Sequence, residues 1–415
     1  MLLQFSCENH RSIKERITFS TIASKDTKYE EYLGHFSNFK VLPTEVIYGP
    51  NGSGKSNFIH AIEFVQALVT NSINYQPGFS IYQAVHKLSP LDAPSSYDIQ
   101  FVTNDIRYAY GFSIKNHLVE EEYLYYFPNG RQVKIFERNK MEIIPGDRYK
   151  KAFDISFSIL KENRLFLSCA ANYTNLVEIE NAFLFFRNEL VIYNPHINQW
   201  MEYSIELMQN NDEIKEKFLE ILNFFGTGAK DIKIKLEKKR IDGAELPKEI
   251  PDFIKNIIAS QEANVIEAKV VYDQFETDLM TEESTGVKKL FEMICPIIDI
   301  LLSGKVLICD EMETGLHESI VYEIVRLFKV FQSDKFAQLI FTTHDTNLLD
   351  TNLFRRDQIW FTQLNEERST DLFSLSEIKN VRKDENLAKG YMSGKYGAIP
   401  MLNNTILNLF NNNEQ

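Results

Sequence analysis

The sequence predicts an α/β fold built on a central parallel sheet, and three segments predict it. Gly49-Pro50-Asn51-Gly52-Ser53-Gly54-Lys55-Ser56 follows the short apolar run Val46-Ile47-Tyr48. It precedes a segment of helical period, with Phe58, Ala61, Ile62, Val65, Leu68 and Val69 on one stripe. Val306-Leu307-Ile308-Cys309 is apolar throughout and ends in Asp310 and Glu311, the pattern of a strand covered on both faces. Gln338-Leu339-Ile340-Phe341-Thr342 repeats that design and ends in Thr343, His344 and Asp345.

The first segment has the G-x-x-x-x-G-K-S spacing of a phosphate-binding loop in its required strand–loop–helix context. Gly49, Asn51, Gly52 and Gly54 form a wrap that brings backbone close to phosphate oxygens, and free N–H groups at the helix start point at the anion. Lys55 can reach the β- and γ-phosphates of ATP, and the Ser56 hydroxyl can ligate Mg²⁺. The plainer alternative, a glycine-rich turn with a surface lysine, does not explain the segments downstream. Acids at the C-terminal end of a parallel strand stand where ligands bind in open α/β sheets. Asp310 is expected to hold Mg²⁺, and Glu311 to orient and deprotonate the attacking water. His344 is placed to hydrogen-bond the γ-phosphate or that water; a solvent-exposed loop histidine is the plainer alternative. Between these segments, Ser284-Thr285-Gly286 opens an apolar helical stretch that includes Leu290, Phe291 and Ile294. Ser284 there reads as an N-cap, and the same exposed amides can grip a phosphate presented by another molecule.

Composition bounds the rest. The chain has 415 residues, 44% hydrophobic and 25% charged, enough for two or three lobes with their own cores. Its 31 Phe and 19 Tyr against 17 Gly and 12 Pro leave little room for disordered linkers. A formal net charge of −13 argues against a generally adhesive surface for nucleic acid, without excluding a local basic groove. Cys7, Cys169, Cys295 and Cys309 show no C-x-x-C spacing, so neither zinc nor a disulfide framework is indicated. The first residues lack the basic and apolar regions of a signal peptide, and no apolar run approaches a membrane span. A reducing cytoplasm, with no membrane partner, is the expected compartment.

The order phosphate loop, Ser-x-Gly helix start, Asp-Glu strand, strand–His resembles the ATP-binding-cassette class of ATPases. That resemblance implies an ABC-type P-loop ATPase with a β-rich lobe and an inserted helical lid. It also implies that ATP is clasped between two copies, with Ser284 and Gly286 of one facing the nucleotide held by the other. The run Asp310-Glu311-Met312-Glu313-Thr314-Gly315-Leu316-His317 looks like the block of the overcoming-lysogenization-defect and abortive-infection ATPases of bacterial phage defence. By that likeness Thr314 and His317 lie in a loop that crosses to the partner. Phe5-Ser6-Cys7-Glu8-Asn9-His10-Arg11-Ser12 resembles the group's opening strand, with His10 for the usual Phe, and places Arg11 near the nucleotide. Glu120-Glu121-Glu122-Tyr123-Leu124, Asn163-Arg164-Leu165-Phe166-Leu167-Ser168 and the stretch from Val381 to Pro400 complete the likeness. Ser284-Thr285-Gly286-Val287 is degenerate beside the Ser-Gly-Gly of transporters.

Four divisions are expected: residues 1–155, carrying the phosphate loop and β-lobe; 156–245, a helical lid; 246–375, the rest of the ATPase; and 376–415, an extension. Tyr97–Val102 and Ile106–Tyr110 read as a hairpin about Thr103-Asn104-Asp105, and Ile205 to Phe225 as a helix ending at Gly226. Lys233, Lys235, Lys238, Lys239 and Arg240 read as a solvated face; Arg148, Lys150 and Lys151 form a second, weaker cluster with Tyr149 interleaved, and neither is enough to claim nucleic-acid binding. Asp384-Glu385 reads as an ion-paired turn, not a nuclease centre. The functional expectation is an ATP-hydrolysing sensor or regulatory subunit that forms a homodimer or larger assembly. It would control a separate effector from the same operon, a nuclease, and respond to a nucleic acid or phage component. The competing expectation is a recombination-type ATPase acting at DNA ends or gaps in repair.

Overall fold

The computed structural model describes residues 1–90, 92–195, 200–240, 262–331, 333–382 and 385–399. In chain order the first strands are β1 (Leu2–Glu8), β2 (Ile17–Ser20), β3 (Gly34–Phe36), β4 (Phe39–Val41) and β5 (Thr44–Tyr48), after which comes helix α1 (Lys55–Asn71). There follow β6 (Ser95–Thr103), β7 (Ile106–Lys115), β8 (Leu118–Phe127), β9 (Val133–Asn139) and β10 (Glu142–Pro145). Helices α2 (Asp154–Ile159), α3 (Phe166–Tyr173) and α4 (Val177–Leu184) lead to β11 (Leu190–Tyr193). Next come α5 (Met201–Asn210), α6 (Asp212–Phe224), β12 (Asp231–Arg240), β13 (Glu262–Val271), β14 (Glu276–Asp278) and α7 (Thr285–Ser303). The chain continues with β15 (Val306–Cys309), α8 (Glu318–Val330), β16 (Gln338–Thr342), β17 (Ile359–Leu364), β18 (Thr370–Ser374) and α9 (Leu387–Met392).

The chain divides into two compact units, residues 1–195, 301–313 and 321–415 in the first, and 196–300 with 314–320 in the second. The first unit contains a six-stranded sheet in the order β11-β15-β16-β5-β17-β18. All its pairings are parallel except that of β18 with β17. β5, β15 and β16 are buried along their whole length, as the apolar runs Val46–Tyr48, Val306–Cys309 and Leu339–Phe341 require, with Thr44, Glu45, Gln338 and Thr342 as buried polar residues at their ends. Because they run parallel in register (Cys309 beside Phe341, Phe341 beside Val46), their C-terminal ends emerge at one edge. That register is what brings the three predicted segments together.

The β-rich lobe is a seven-stranded antiparallel sheet, β10-β9-β8-β7-β6-β1-β2. Its β6–β7 hairpin turns at Asn104 and Asp105, both with positive φ, the turn that matches strand twist. The stripe of α1 shares a core with Phe5 and Phe19 of this sheet and with Ile47, Ile308 and Ile340 of the other. Two segments quoted for the family resemblance meet here. Glu122, buried, accepts hydrogen bonds from the first amides of α3, Phe166 N at 2.6 Å and Leu167 N at 2.9 Å, and pairs with Arg138 at 3.2 Å.

The expected α/β fold with a β-rich lobe is borne out, but the two compact units do not divide at 156. β11 pairs in parallel with β15, so the segment that closes α2–α4 belongs to the core sheet and not to a lid. The second unit holds a three-stranded antiparallel sheet, β12-β13-β14, so it is not simply helical. It includes Ser284 and Gly286, because Phe218 of α6 packs edge-on to Phe291 of α7 and the Ser204 hydroxyl donates to Glu292 O at 2.9 Å. The predicted helix from Ile205 breaks at Asn211, whose side chain accepts from Ile214 N and starts α6; it ends before Gly226, where φ is +77°. The basic cluster from Lys233 lies on strand β12, where Lys233 pairs with Glu276. Lys150 pairs with Asp147. All four cysteines are buried, and no disulfide joins them. Glu385 pairs with Lys395 at 2.6 Å and with the Tyr396 hydroxyl. Lys383, Asp384, Pro400 and the 245/246 boundary lie outside the described residues. Among the described residues, no helix is long and apolar enough to cross a membrane.

Candidate functional site

The loop between β5 and α1 is shaped by its glycines and fastened from below by hydroxyls. Gly54, at φ +108°, sits so close to Thr370 that a Cβ would lie 2.0 Å from its Oγ1. A Cβ on Gly49 would lie 2.3 Å from Thr362 Oγ1. Gly52, at φ +77°, faces open space, and Asn51 is exposed beside it. Thr370 Oγ1 donates to Ser53 O at 2.9 Å, so in its 2.7 Å contact with Ser12 the proton comes from Ser12. Ser12 in turn accepts from Asn57 Nδ2 at 2.7 Å. Ser53 Oγ bonds Thr362 Oγ1 at 2.7 Å. The chain Asn57–Ser12–Thr370–Ser53 therefore ties the loop to the first turn of α1, to the start of β18 and to the segment after β1.

Lys55 is buried, 5% exposed, and its ammonium donates to Gly49 O at 2.8 Å and to Pro50 O at 3.4 Å. Burial holds its pKa below the usual lysine range, against the pull of Asp310, Glu311 and Glu313. Ser56 follows on the first turn of α1, partly exposed.

Thr342, the last residue of β16, organises the acids. Its hydroxyl donates to Asp310 Oδ1 at 2.5 Å and accepts from Glu311 N at 2.8 Å. Glu311 has φ +47°, a left-handed backbone uncommon for a residue with a side chain. Glu313 Oε1 accepts from His344 N at 2.7 Å, and its buried Oε2 has no partner among the described residues. Partial burial, then the charge of Lys55, lowers the His344 pKa, while Glu313, Glu311 and Asp310 oppose this. Lys55, Asp310, Glu311 and His344 are thus brought together, as the sequence expected. Thr342, Glu313, Ser12 and Thr370 were not expected. Glu313 stood in the D-E-x-E run and Thr342 at the polar end of an apolar strand, so both left a signal. Thr370 left none, because only the β17–β18 pairing carries it under the loop.

Arg11, exposed at φ +51°, lies beside the loop. With Ser12, Gly52, Asn57, Lys87 and Arg368 it lines a cavity of about 930 Å³.

In the second unit Ser284 is exposed, and its side chain accepts from Val287 N at 3.3 Å, capping α7. Gly286 stands next to the loop after Glu313: a Cβ there would be 3.8 Å from Gly315 O. His317 is exposed and its Nδ1 accepts from Ser319 N at 3.2 Å, so it caps α8; Thr314 is partly buried. Ser284, Gly286 and the 314–317 loop thus share one face of that unit.

A family model described as "AAA domain, putative AbiEii toxin, Type IV TA system" matches residues 46–350, from the strand before the phosphate loop to beyond His344. The chain belongs to that family. By family and fold it is a P-loop ATPase. Among solved structures, it is similar to an SMC head domain from Thermotoga maritima, at 14% identity and a TM-score of 0.43, covering 90% of this chain and 98% of that one. It is likewise similar to an SMC head bound to the C-winged helix domain of ScpA, at 15% identity and a TM-score of 0.42, covering 90% and 97%. No curated protein matches the sequence.

Proposed function

We propose that this chain binds and hydrolyses ATP at the edge where β5, β15 and β16 end. The observation that carries the reading is the meeting of Lys55, Asp310, Glu311, Glu313 and His344 at that edge. Gly52 and the first amides of α1 face the γ- and β-phosphates, and Lys55 exchanges its carbonyl partners for phosphate oxygens. Glu311 takes the proton of the attacking water, and His344 holds that water or the γ-phosphate. Thr342 holds the Asp310 carboxylate and the backbone of Glu311 in place before substrate arrives.

The donor set suits a hard cation: one hydroxyl on Ser56 and one carboxylate on Asp310. Among the described residues no cluster of three or more His, Cys, Asp or Glu could hold a metal by itself. Two protein oxygens with the rest from water and phosphate is the usual way Mg²⁺ is held. When bound there, Mg²⁺ supplies neutralisation of charge on the β- and γ-phosphates.

The exposed Ser284–Gly286 helix start supports an ATP-dependent sandwich, with Thr314 and His317 at the seam between copies. In our reading the assembly is a cytoplasmic homodimer or higher oligomer. It regulates a separate toxic effector, a nuclease from the same operon, in antiphage defence. The toxin–antitoxin description of the family supports this. The test of the core claim is Lys55→Ala with ATP binding measured by calorimetry. Loss of charge-assisted bonds should weaken ATP by roughly a hundredfold or more; unchanged affinity removes the phosphate-loop role. A salt titration against DNA tests the regulatory role, since tight, strongly salt-dependent binding by the isolated protein would favour repair at DNA ends instead.

A further inference from the structure

A second cavity lies at the opposite end of α1 from the phosphate loop, within the same compact unit. It measures about 540 Å³, inside the range of small-molecule sites. The helix rises about 24 Å from Lys55 to Asn71, which sets this cavity apart from the loop. The last turns of α1 supply Gln66 and Asn71 to its wall, and α3 supplies Asn172. Arg187 comes from a single π-helical turn, Phe185–Glu189, that joins α4 to β11. Such turns are rare and collect at functional positions. Gln66 fastens this one, because its Nε2 donates to Phe186 O at 2.8 Å and also to Leu190 O, where β11 begins.

The wall is polar but unbalanced. Arg187 is exposed, and its guanidinium has neither an ion pair nor a hydrogen bond among the described residues. No carboxylate lines the cavity among those residues, in a chain of formal net charge −13. The three amides have spent their donors on the backbone. Besides Gln66, Asn71 Nδ2 donates to Ala67 O at 2.9 Å, and Asn172 Nδ2 donates to Ser168 O at 2.8 Å. Their side-chain carbonyl oxygens have no partner among the described residues, so each of the three presents an acceptor. Ile73 and Phe183 add an apolar wall.

This combination narrows the occupant. An arginine fork holds a phosphate through two parallel hydrogen bonds. A bare inorganic anion would use the arginine and leave the amide oxygens unanswered. A neutral sugar would do the reverse. We infer that the cavity is a second ligand site, for a phosphorylated sugar or nucleoside whose phosphate pairs with Arg187 and whose hydroxyls donate to the oxygens of Gln66, Asn71 and Asn172. Its ring lies against Ile73 and Phe183. The site is separate from the proposed triphosphate site and does not depend on it.

The test is calorimetry on the intact chain with ribose 5-phosphate, AMP and ribose in turn. At least one of the two phosphates should bind with a Kd below about 1 mM, and ribose at least about tenfold more weakly than ribose 5-phosphate. Equal affinity for the two phosphates identifies a sugar phosphate as sufficient; tighter binding of AMP shows that the base contributes. Either result supports the site. Arg187→Gln alters an exposed side chain and should weaken binding about tenfold or more. Asn71→Asp sets a carboxylate against the phosphate, with the same expected loss, and serves if the first variant does not fold. Lys55→Ala should leave the affinity of this site unchanged. Failure of both phosphates to bind at about 1 mM overturns the inference. So does unchanged affinity in the cavity variant used. Loss of binding in Lys55→Ala also overturns it, because the ligand would then sit at the phosphate loop.

Discussion

The phosphate-loop edge of the first unit and the Ser284 face of the second are built on opposite principles. At the first, almost every polar group is already engaged. Lys55 is buried against two carbonyls, four side chains hold the loop from beneath, and Thr342 ties Asp310 to the backbone of Glu311. At the second, a serine caps its own helix, a glycine has room around it, and a histidine caps the next helix in open solvent. A preorganised, desolvated site can hold a charged ligand by itself, because its dipoles need no rearrangement. An exposed helix start is worth little until something excludes water from it. On the proposed reading, one copy suffices to bind a triphosphate and the second face acts only in a complex.

The sharpest way to break this contrast is Glu311→Gln. Turnover should fall by about 10²–10⁴, the usual contribution of a general base, while ATP stays bound and assemblies persist. Steady-state phosphate release together with sedimentation checks both halves, and wild-type turnover would remove Glu311 from its role. Ser284→Arg comes next. ATP affinity of a single copy should be unchanged, but assembly in the Glu311→Gln background should weaken by about tenfold or more, as sedimentation equilibrium would read. Normal assembly would mean that this helix start faces nothing.

Thr342→Val deletes two hydrogen bonds while preserving shape, and should cost about 1–2 kcal/mol in stability and roughly tenfold in turnover. Denaturant melts and kinetics measure the two separately; a loss of stability without a loss of turnover would make Thr342 a purely structural residue. A matched pair of glycines tests the contrast through stability alone. Gly54→Ala forces a Cβ to within 2.0 Å of Thr370 at a left-handed φ and should destabilise by roughly 3 kcal/mol. Gly286→Ala meets nothing closer than 3.8 Å and should leave stability unchanged or raised by about 1 kcal/mol. Equal penalties in urea melts would erase the distinction between the fastened loop and the open helix start.

Much of the first site was legible in the chain because its pieces are local. Loop spacing, unbroken apolar strands and the residues at their ends are properties of short windows, and parallel pairing does the rest. The lid was less legible. Residues 156–245 read as mainly helical, yet β11 and β12 lie among them, because local periods do not reveal which sheet a short strand joins. β11 is four residues long, and its partnership with β15 depends on packing across the whole unit.

Sequence alone determined the nucleotide-binding class, the phosphate loop, the acid pair and the histidine, since each is written in contiguous residues whose chemistry does not depend on distant partners. Tertiary structure alone decided that Thr370 and Ser12 brace the loop, that Glu313 and Thr342 position the site, and that Arg187 shares a cavity with the last turns of α1. Those facts arise from side chains far apart in the chain and close in space, and no local pattern encodes a distance that only the folded core imposes.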